Sequence, residues 1–356
     1  MTKRDANPLH VLPPEVKSRA RIRPMPTWVA PMLATLTDER FSRQGWLFEP
    51  KLDGERCLAF GDRGTLRLLS RNQIELNERY PEIVAAFRNQ PTAAFIADGE
   101  VVTSDGGVTS FAKLQQRMQV ARPSLDLRRK VPVWLYLFDL LYVDRYDVRS
   151  VPLRYRKQLL RMTFHFNGSL RFTEHRETEG EAFYQEACRR GWEGIIAKDG
   201  DGVYVSGRTR AWLKFKCTHE QEFVIAGYTD PHGGRIGFGA LLVGVYQRGK
   251  LVFAGKVGTG FDHATLERLG KQLARLETAT SPFAGDGFPR LGVHWVEPKL
   301  VAQVGFTEWT PGGKLRHPRF IGLREDKDPK EVVRERGGSG RTWPMTNCRC
   351  ESVVGC

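Results

Sequence analysis

The chain has 356 residues, 40% hydrophobic and 10% aromatic, enough for two domains with apolar cores. Lys and Arg number 55 against 41 Asp and Glu, a formal net charge of +14 that favours a polyanionic partner such as nucleic acid, or an anionic membrane surface. No run approaches the roughly 20 apolar residues of a membrane span, and the polar start Met1-Thr2-Lys3-Arg4-Asp5 has no apolar signal core, so neither a membrane span nor secretion is expected.

Residues 1–24 are Pro- and Arg-rich without periodicity and read as a flexible lead-in. Strands are expected at 45–51, running into a turn at Asp53-Gly54, and at 66–70. A helix follows over 78–90 with Pro81 near its first turn. Residues 93–102 and 131–143 are rich in β-formers, as buried strands should be. Thr178 and Glu181 have capping-box spacing for a helix running to about Arg190. After Cys217 the texture changes to short strands at 222–228, 240–247 and 251–257, with Arg248-Gly249-Lys250 as a hairpin turn. Residues 263–276 read as one amphipathic helix with Leu266, Leu269 and Leu273 on a stripe, and 294–309 returns to strand. This suits a small β-barrel of the oligonucleotide-binding (OB) type, with a generic small β-domain open on pattern alone. Past Asp328 the chain is charged, then Gly/Ser-rich, and 331–356 is expected to be disordered. Cys57, Cys188 and Cys217 read as separate core thiols and Cys348, Cys350 and Cys356 as free thiols of the tail, a usage that fits a reducing cytoplasm.

The chemistry-bearing runs come in a fixed order. Lys51 lies in Glu49-Pro50-Lys51-Leu52-Asp53-Gly54-Glu55-Arg56. After it come Ser70-Arg71-Asn72, Asp98-Gly99-Glu100, Phe138-Asp139, Glu193-Gly194-Ile195-Ile196-Ala197-Lys198 and Trp212-Leu213-Lys214-Phe215-Lys216. A lysine amine titrates near 10.4 in isolation, so a nucleophilic Lys51 needs neighbouring cations or desolvation. Lys214, Lys216, Arg56 and a bound metal could supply that field. Strand alternation puts Glu49 and Lys51 on one face, and likewise Trp212, Lys214 and Lys216. Two lysines side by side repel unless an anion lies between them, which favours a phosphate site. Asp98-Gly99-Glu100 is expected at a strand exit. Magnesium prefers oxygen ligands, but taken alone each of these acids, and Glu193 with them, reads as a turn or surface residue. Phe138, in the apolar run Val133–Asp139, reads alone as core. No Gly-x-x-x-x-Gly-Lys-Ser/Thr loop is present, His219-Glu220 lacks the second His of a zinc protease helix, and no paired Cys-x-x-Cys occurs.

The ordered set resembles the covalent nucleotidyltransferases, the superfamily of DNA ligases, RNA ligases and mRNA-capping enzymes. It is most similar to ATP-dependent DNA ligases, in particular the ligase module of bacterial end-joining ligases, over roughly residues 25–330. The run Arg316-His317-Pro318-Arg319-Phe320-Ile321-Gly322-Leu323-Arg324-Glu325-Asp326-Lys327 resembles the last ligase motif, and 237–242 and 255–261 look like the barrel of those enzymes. The resemblance implies an α+β chain of two domains. An adenylation domain of antiparallel sheets with helices spans 25–217, and an OB-fold domain spans 218–330. It implies Lys51 as the nucleophile that forms lysyl-AMP. It puts Glu49 at the adenine amino group, Arg56 at the ribose and Phe138 stacked on the purine. Arg71 falls at the nucleotide and the 5′-phosphate of a nick, Lys214 and Lys216 at the α-phosphate, and Lys198 facing the phosphate. Arg324 and Lys327, with Asp326, close over the triphosphate. Glu100 and Glu193 are the metal-associated acids, with Asp98 the weaker candidate. ATP and Mg2+ (or Mn2+) are implied, with nicked duplex DNA as partner and Ku left open. A monomer in the cytoplasm, without polymerase or nuclease modules, is expected. An RNA ligase or capping-type guanylyltransferase is the alternative on the same core.

Overall fold

Three large sheets carry the molecule. The computed structural model describes residues 7–335 apart from 89, 93, 218, 219, 232 and 234. The first sheet has the strand order Arg21–Ile22, Tyr146–Asp147, Trp134–Val143, Ala94–Val102, Glu55–Asp62, Thr65–Ser70, with Leu170–Phe172 parallel to Trp134–Val143. The second runs Arg176–Glu177, Trp46–Pro50, Gly194–Asp199, Gly207–Lys216, Met32–Leu36, its last pair parallel. These two parallel pairings depart from the all-antiparallel expectation. The third is antiparallel throughout: Lys250–Val257, Leu241–Gln247, Glu220–Thr229, Val293–Gly305, Glu277–Thr278, with Arg319–Leu323 also on Val293–Gly305. With the helix His263–Ala274, whose buried residues are Leu266, Leu269 and Leu273, this last unit is consistent with an OB-type barrel. The hairpin turn falls where expected, with Arg248 and Gly249 both at positive φ.

Local chemistry explains the elements. The strand Trp134–Val143 is apolar almost throughout because nearly all of it is buried. The helix Phe111–Met118 starts where the Ser110 hydroxyl accepts from the Lys113 N–H at 3.2 Å. The helix Pro81–Phe87 is shorter than expected, with Pro81 in its first turn.

Several expectations are corrected. Residues 8–22 form two short helices and a strand, and bury Leu9, Leu12 and Val16 in the core of the first sheet, so they are no flexible lead-in. The helix Gly180–Arg189 has Glu179 as its cap without a side-chain bond, and Thr178 sits at φ 62°, which denies it the capping-box role. Asp98 and Glu100 lie inside the strand Ala94–Val102, not at its exit. Cys188 and Cys217 form a disulfide with their Cα atoms 5.2 Å apart, because the helix Gly180–Arg189 packs on the second sheet beside the end of Gly207–Lys216. Cysteine usage therefore no longer argues for a reducing compartment. Cys57 is a buried free thiol, as expected. Residues 331–335 are ordered; the rest of the tail, with its three cysteines, lies outside the described residues.

One contact between the two units runs along the helix Phe111–Met118 and its C-cap Gln119. The Gln115 amide donates to the Leu323 carbonyl, the Arg268 guanidinium to Gln119, and the Arg324 guanidinium lies 4.3 Å from the Phe111 ring centroid.

At the centre of the first sheet Asp139 and Arg156 form a fork of 2.7 and 2.8 Å hydrogen bonds, with both side chains fully buried. Asp139→Ala leaves a buried guanidinium uncompensated and is expected to cost about 3–5 kcal/mol. Urea denaturation followed by circular dichroism measures it; a loss below about 1 kcal/mol would mean that water or another group takes over the charge.

Candidate active site

Three strands of the second sheet set the geometry. Ile196 pairs with Glu49 on one side and Lys214 on the other, so these residues form one row. Gly194 pairs with Lys216, and the Lys51 N–H donates to the Gly194 carbonyl at 2.9 Å. This approach needs glycine: at φ 148°, a Cβ on Gly194 would lie 2.0 Å from the Phe215 carbonyl oxygen. At Gly54 a Cβ would lie 2.1 Å from the Val101 carbonyl oxygen. The glycines of these two motifs thus serve close backbone packing. The result puts the Lys51 ammonium on the Glu193 carboxylate, with Lys216 Nζ 4.0 Å from that carboxylate. Burial pushes the Glu193 carboxyl up, but Lys51 and Lys216 outweigh it and hold the group below its usual range.

A cavity of about 520 Å³ opens around this pair. Of the residues singled out in the sequence, Glu49, Lys51, Arg56, Arg71, Glu100, Phe138, Glu193, Lys198, Lys214, Lys216, Arg324, Asp326 and Lys327 line it, and Asp98 does not. Besides the Lys51–Glu193 pair and Glu100, they fall into two groups by contact.

In the first group, Phe138 and Trp212 meet edge to face, with centroids 5.9 Å apart. Arg56 lies 4.8 Å from the Phe138 centroid and is gripped by Asp98 through bonds of 2.5 and 2.6 Å. Asp98 also accepts from the Tyr204 hydroxyl at 2.6 Å, so it orients Arg56 and is not a free acid. Lys198 Nζ is 2.5 Å from Glu49 and 4.2 Å from both ring centroids, which places it with the aromatic group. Burial pushes the Lys198 amine down to about 8 although Glu49 opposes the shift.

The second group is cationic. Lys214 and Lys216 stand side by side, and the anion between them is the chain's own Glu335, bonded to Lys214 and 3.3 Å from Lys216. Burial and then Lys216 push the Lys214 amine down to about 8, against Glu335. Lys216 moves the other way, upward, because Glu335 and Glu193 outweigh its burial. Glu331 takes the Arg71 guanidinium in the same manner. The segment that carries these acids is held by the second unit: the Tyr246 N–H donates to the Val332 carbonyl at 2.7 Å, and the Gln221 amide to the Val333 carbonyl at 3.0 Å. Arg324 is fixed by Asp326 at 2.9 and 2.8 Å, and Lys327 by Glu222 at 3.2 Å.

Glu100 is the acid without a partner. Among the described residues no hydrogen bond or ion pair reaches its carboxylate, and burial pushes it up to about 7 despite Arg56, Arg324 and Lys51 nearby. Burial, followed by the charge of Glu193, pushes Asp53 up to about 6, and Asp53 accepts from the Phe111 N–H at 3.0 Å. A desolvated carboxylate short of positive charge is a fitting ligand for a divalent cation. No group of three or more His, Cys, Asp or Glu suited to a metal occurs among the described residues.

The sequence reading missed Lys157, Glu222 and Glu335. Lys157 had a signal. The helix Leu153–Thr163 puts Leu153, Arg156, Lys157 and Leu160 on one stripe, so two cations stand where apolar side chains belong. Glu335 had none, because it lies in a polar segment that looks like any tail.

Two family models match the chain: "ATP dependent DNA ligase domain" over residues 31–216 and "ATP dependent DNA ligase C terminal region" over 234–327. The multifunctional non-homologous end joining protein LigD of Pseudomonas aeruginosa is 37% identical over 321 residues, covering 88% of this chain and 37% of that protein. The LigD of Mycobacterium tuberculosis H37Rv is 39% identical over 316 residues, covering 86% and 40%. A DNA ligase of Thermococcus fumicolans is 32% identical over 303 residues, covering 80% and 53%. The chain thus spans well under two thirds of these relatives' lengths. Among solved structures, mycobacterial DNA ligase D complexed with ATP and MES aligns with a TM-score of 0.61 at 36% identity, covering 86% of this chain and 98% of that one.

Glu335→Gln removes the carboxylate that occupies the lysine pair. It is expected to tighten the binding of inorganic tripolyphosphate about tenfold, read by isothermal titration calorimetry at low salt. Unchanged or weaker binding would show that Glu335 does not compete with phosphate there.

Proposed function

This chain belongs to the ATP-dependent DNA ligase family, and we propose that it closes nicks in duplex DNA through a lysyl-AMP intermediate on Lys51. One observation carries the reading: a single cavity gathers an aromatic group with Glu49 and Arg56, the Lys51–Glu193 pair, and a cationic group of Lys214, Lys216, Arg71, Arg324 and Lys327. This matches the base, α-phosphate and triphosphate tail of ATP. Both matching family models describe DNA ligases, which favours nick sealing over RNA ligation or guanylyl transfer.

In this reading Phe138 stacks on adenine, Glu49 faces its amino group and Arg56 meets the ribose. Lys198 stays with Glu49 on the base side. Lys51 Nζ, oriented by Glu193, first gives up its ammonium proton to solvent, and the free amine attacks the α-phosphorus; the N–P bond forms as the P–O bond to pyrophosphate breaks, and a second N–H proton leaves to solvent. Lys214 and Lys216 take up charge on the α-phosphate, and Arg324 and Lys327 take it up on the leaving pyrophosphate. AMP passes from Lys51 to the 5′-phosphate of the nick, where Arg71 awaits it, and the 3′-hydroxyl then displaces AMP. A divalent cation, when bound, neutralises charge on the reacting phosphate, and Glu100 and Glu193 would hold it. The same proposal includes action as a cytoplasmic monomer in DNA repair, and recruitment by Ku to broken ends.

Incubation with α-labelled ATP, then with a nicked duplex, tests it. A labelled protein adduct and a sealed strand are expected. Lys51→Ala and Lys51→Arg should both lose the adduct, the second because guanidinium stays protonated at working pH. An adduct retained at wild-type level in Lys51→Ala sinks the assignment.

Arg324→Ala and Lys327→Ala should lose adduct formation yet still seal a nick supplied already adenylated, since no pyrophosphate then remains to be stabilised. Each loss is expected to be about a hundredfold. If sealing of the adenylated nick falls equally, these residues act in DNA binding or folding instead.

A further inference from the structure

Lys157 is a lysine where the fold asks for an apolar residue. It sits on the buried stripe of the helix Leu153–Thr163, with only 2% of its side chain exposed. Its Nζ is 2.5 Å from Glu49 Oε1, donates to the Thr173 carbonyl at 2.9 Å, and lies 4.6 Å from the Phe172 ring centroid. Glu49 lines the cavity; Lys157 does not. The lysine therefore reaches the cavity through Glu49.

Glu49 is gripped on both oxygens, Oε1 by Lys157 and Oε2 by Lys198, each at 2.5 Å. A carboxylate oxygen has two acceptor positions, so one on each remains for a ligand. An ionised carboxylate only accepts; a protonated carboxyl also donates. A purine with an amino group at C6 presents a donor, and a 6-oxopurine presents an acceptor. Which purine suits this wall thus follows from whether Glu49 carries a proton.

We propose that Lys157 is a positioning residue that keeps Glu49 an acceptor and thereby makes the pocket select a 6-aminopurine nucleotide over a 6-oxopurine one. The inference rests on the reading of Glu49 as the group that faces the base edge. Burial pushes the Glu49 carboxyl up, but Lys157 and then Lys198 outweigh it and hold it below its usual range. Lys51, Arg56 and Lys214 share the cavity wall with it but are paired to Glu193, Asp98 and Glu335. Asp139, which also acts on Lys198, is neutralised by Arg156. His175 precedes the strand Arg176–Glu177; burial and Lys157 lower its pKa, against Glu49, Glu177 and Glu174. With Lys157 gone, Glu49 would face burial with Lys198 as its remaining ion-pair partner, and its pKa must rise. The sign follows: the wild type keeps the acceptor form as pH falls, whereas the variant loses it toward the acid side.

The test compares kcat/KM for covalent adduct formation with α-labelled ATP and ITP, which replaces the 6-amino group by a 6-oxo group, from about pH 6 to about pH 9. The wild-type ATP/ITP ratio should stay flat. In Lys157→Met it should fall about tenfold or more at the acid end and recover toward the alkaline end. Lys157→Arg, which keeps the cation, should restore the flat profile. If Lys157→Met does not fold by circular dichroism, Lys157→Gln serves the same comparison. A flat, wild-type ratio in the folded variant, or an equal loss with both nucleotides, overturns the proposal. Glu49→Gln separates the two layers. If it leaves the ratio unchanged, Glu49 does not read the base and the underlying assignment fails. If it collapses the ratio while Lys157→Met does not, only the role of Lys157 fails.

Discussion

The structure depends on one registered set of three strands. Gly194–Asp199 lies between Trp46–Pro50 and Gly207–Lys216, and its pairing fixes Glu49, Ile196 and Lys214 in one row with Gly194 opposite Lys216. A slip by one residue would turn Glu49, Lys214 and Lys216 into the core and bring Phe48 and Phe215 out. The apolar alternates prevent it: Phe48, Ile195, Ala197, Leu213 and Phe215 are packed under the helix Gly180–Arg189 with Phe183 and Ala187. The hydrophobic effect on one face of the sheet thus aligns the charges on the other.

Those charges then have to be tolerated. The cavity wall alternates cation and anion: Lys51 with Glu193, Lys198 with Glu49, Arg56 with Asp98, Arg324 with Asp326, Lys327 with Glu222. Desolvation penalises every member, and each pair offsets the penalty by proximity. Where the match is imperfect the titration behaviour shows it. Lys214 and Lys198 are pushed down to about 8, and Glu100 is pushed up to about 7. These are the groups whose charge an incoming ligand of opposite sign would most readily restore.

How much of this could be read from sequence follows from the range of the forces. Glu100 and Glu193 were singled out only through the resemblance, whereas the lysine motif and the strand alternation of Trp212–Lys216 were legible because each depends on spacing within a few residues. The hairpin at Arg248-Gly249 and the stripe of Leu266, Leu269 and Leu273 were legible for the same reason. Asp98 was read as a weak acid of the site because its partners, Arg56 and Tyr204, lie 42 and 106 residues away. Lys157 stood on a helix that the reading did not trace, and Glu335 joins Lys214 across 121 residues. The lead-in looked unstructured because Leu9, Leu12 and Val16 carry too little apolar surface to form a core by themselves; the first sheet supplies the rest.

The Cys188–Cys217 bond closes a covalent ring with a sequence separation of 29 residues. Glu193, Lys198, Lys214 and Lys216 all lie inside that ring. By loop-closure entropy alone such a crosslink disfavours the unfolded chain by roughly 3–4 kcal/mol. Its topological effect is more specific. Even with the helix and strands melted, these four side chains stay within a short polymer loop, so their local concentration never falls to that of an open chain. Of the three registered strands, Gly194–Asp199 and Gly207–Lys216 are therefore the two that diffuse apart least, while Trp46–Pro50 joins them from outside the ring.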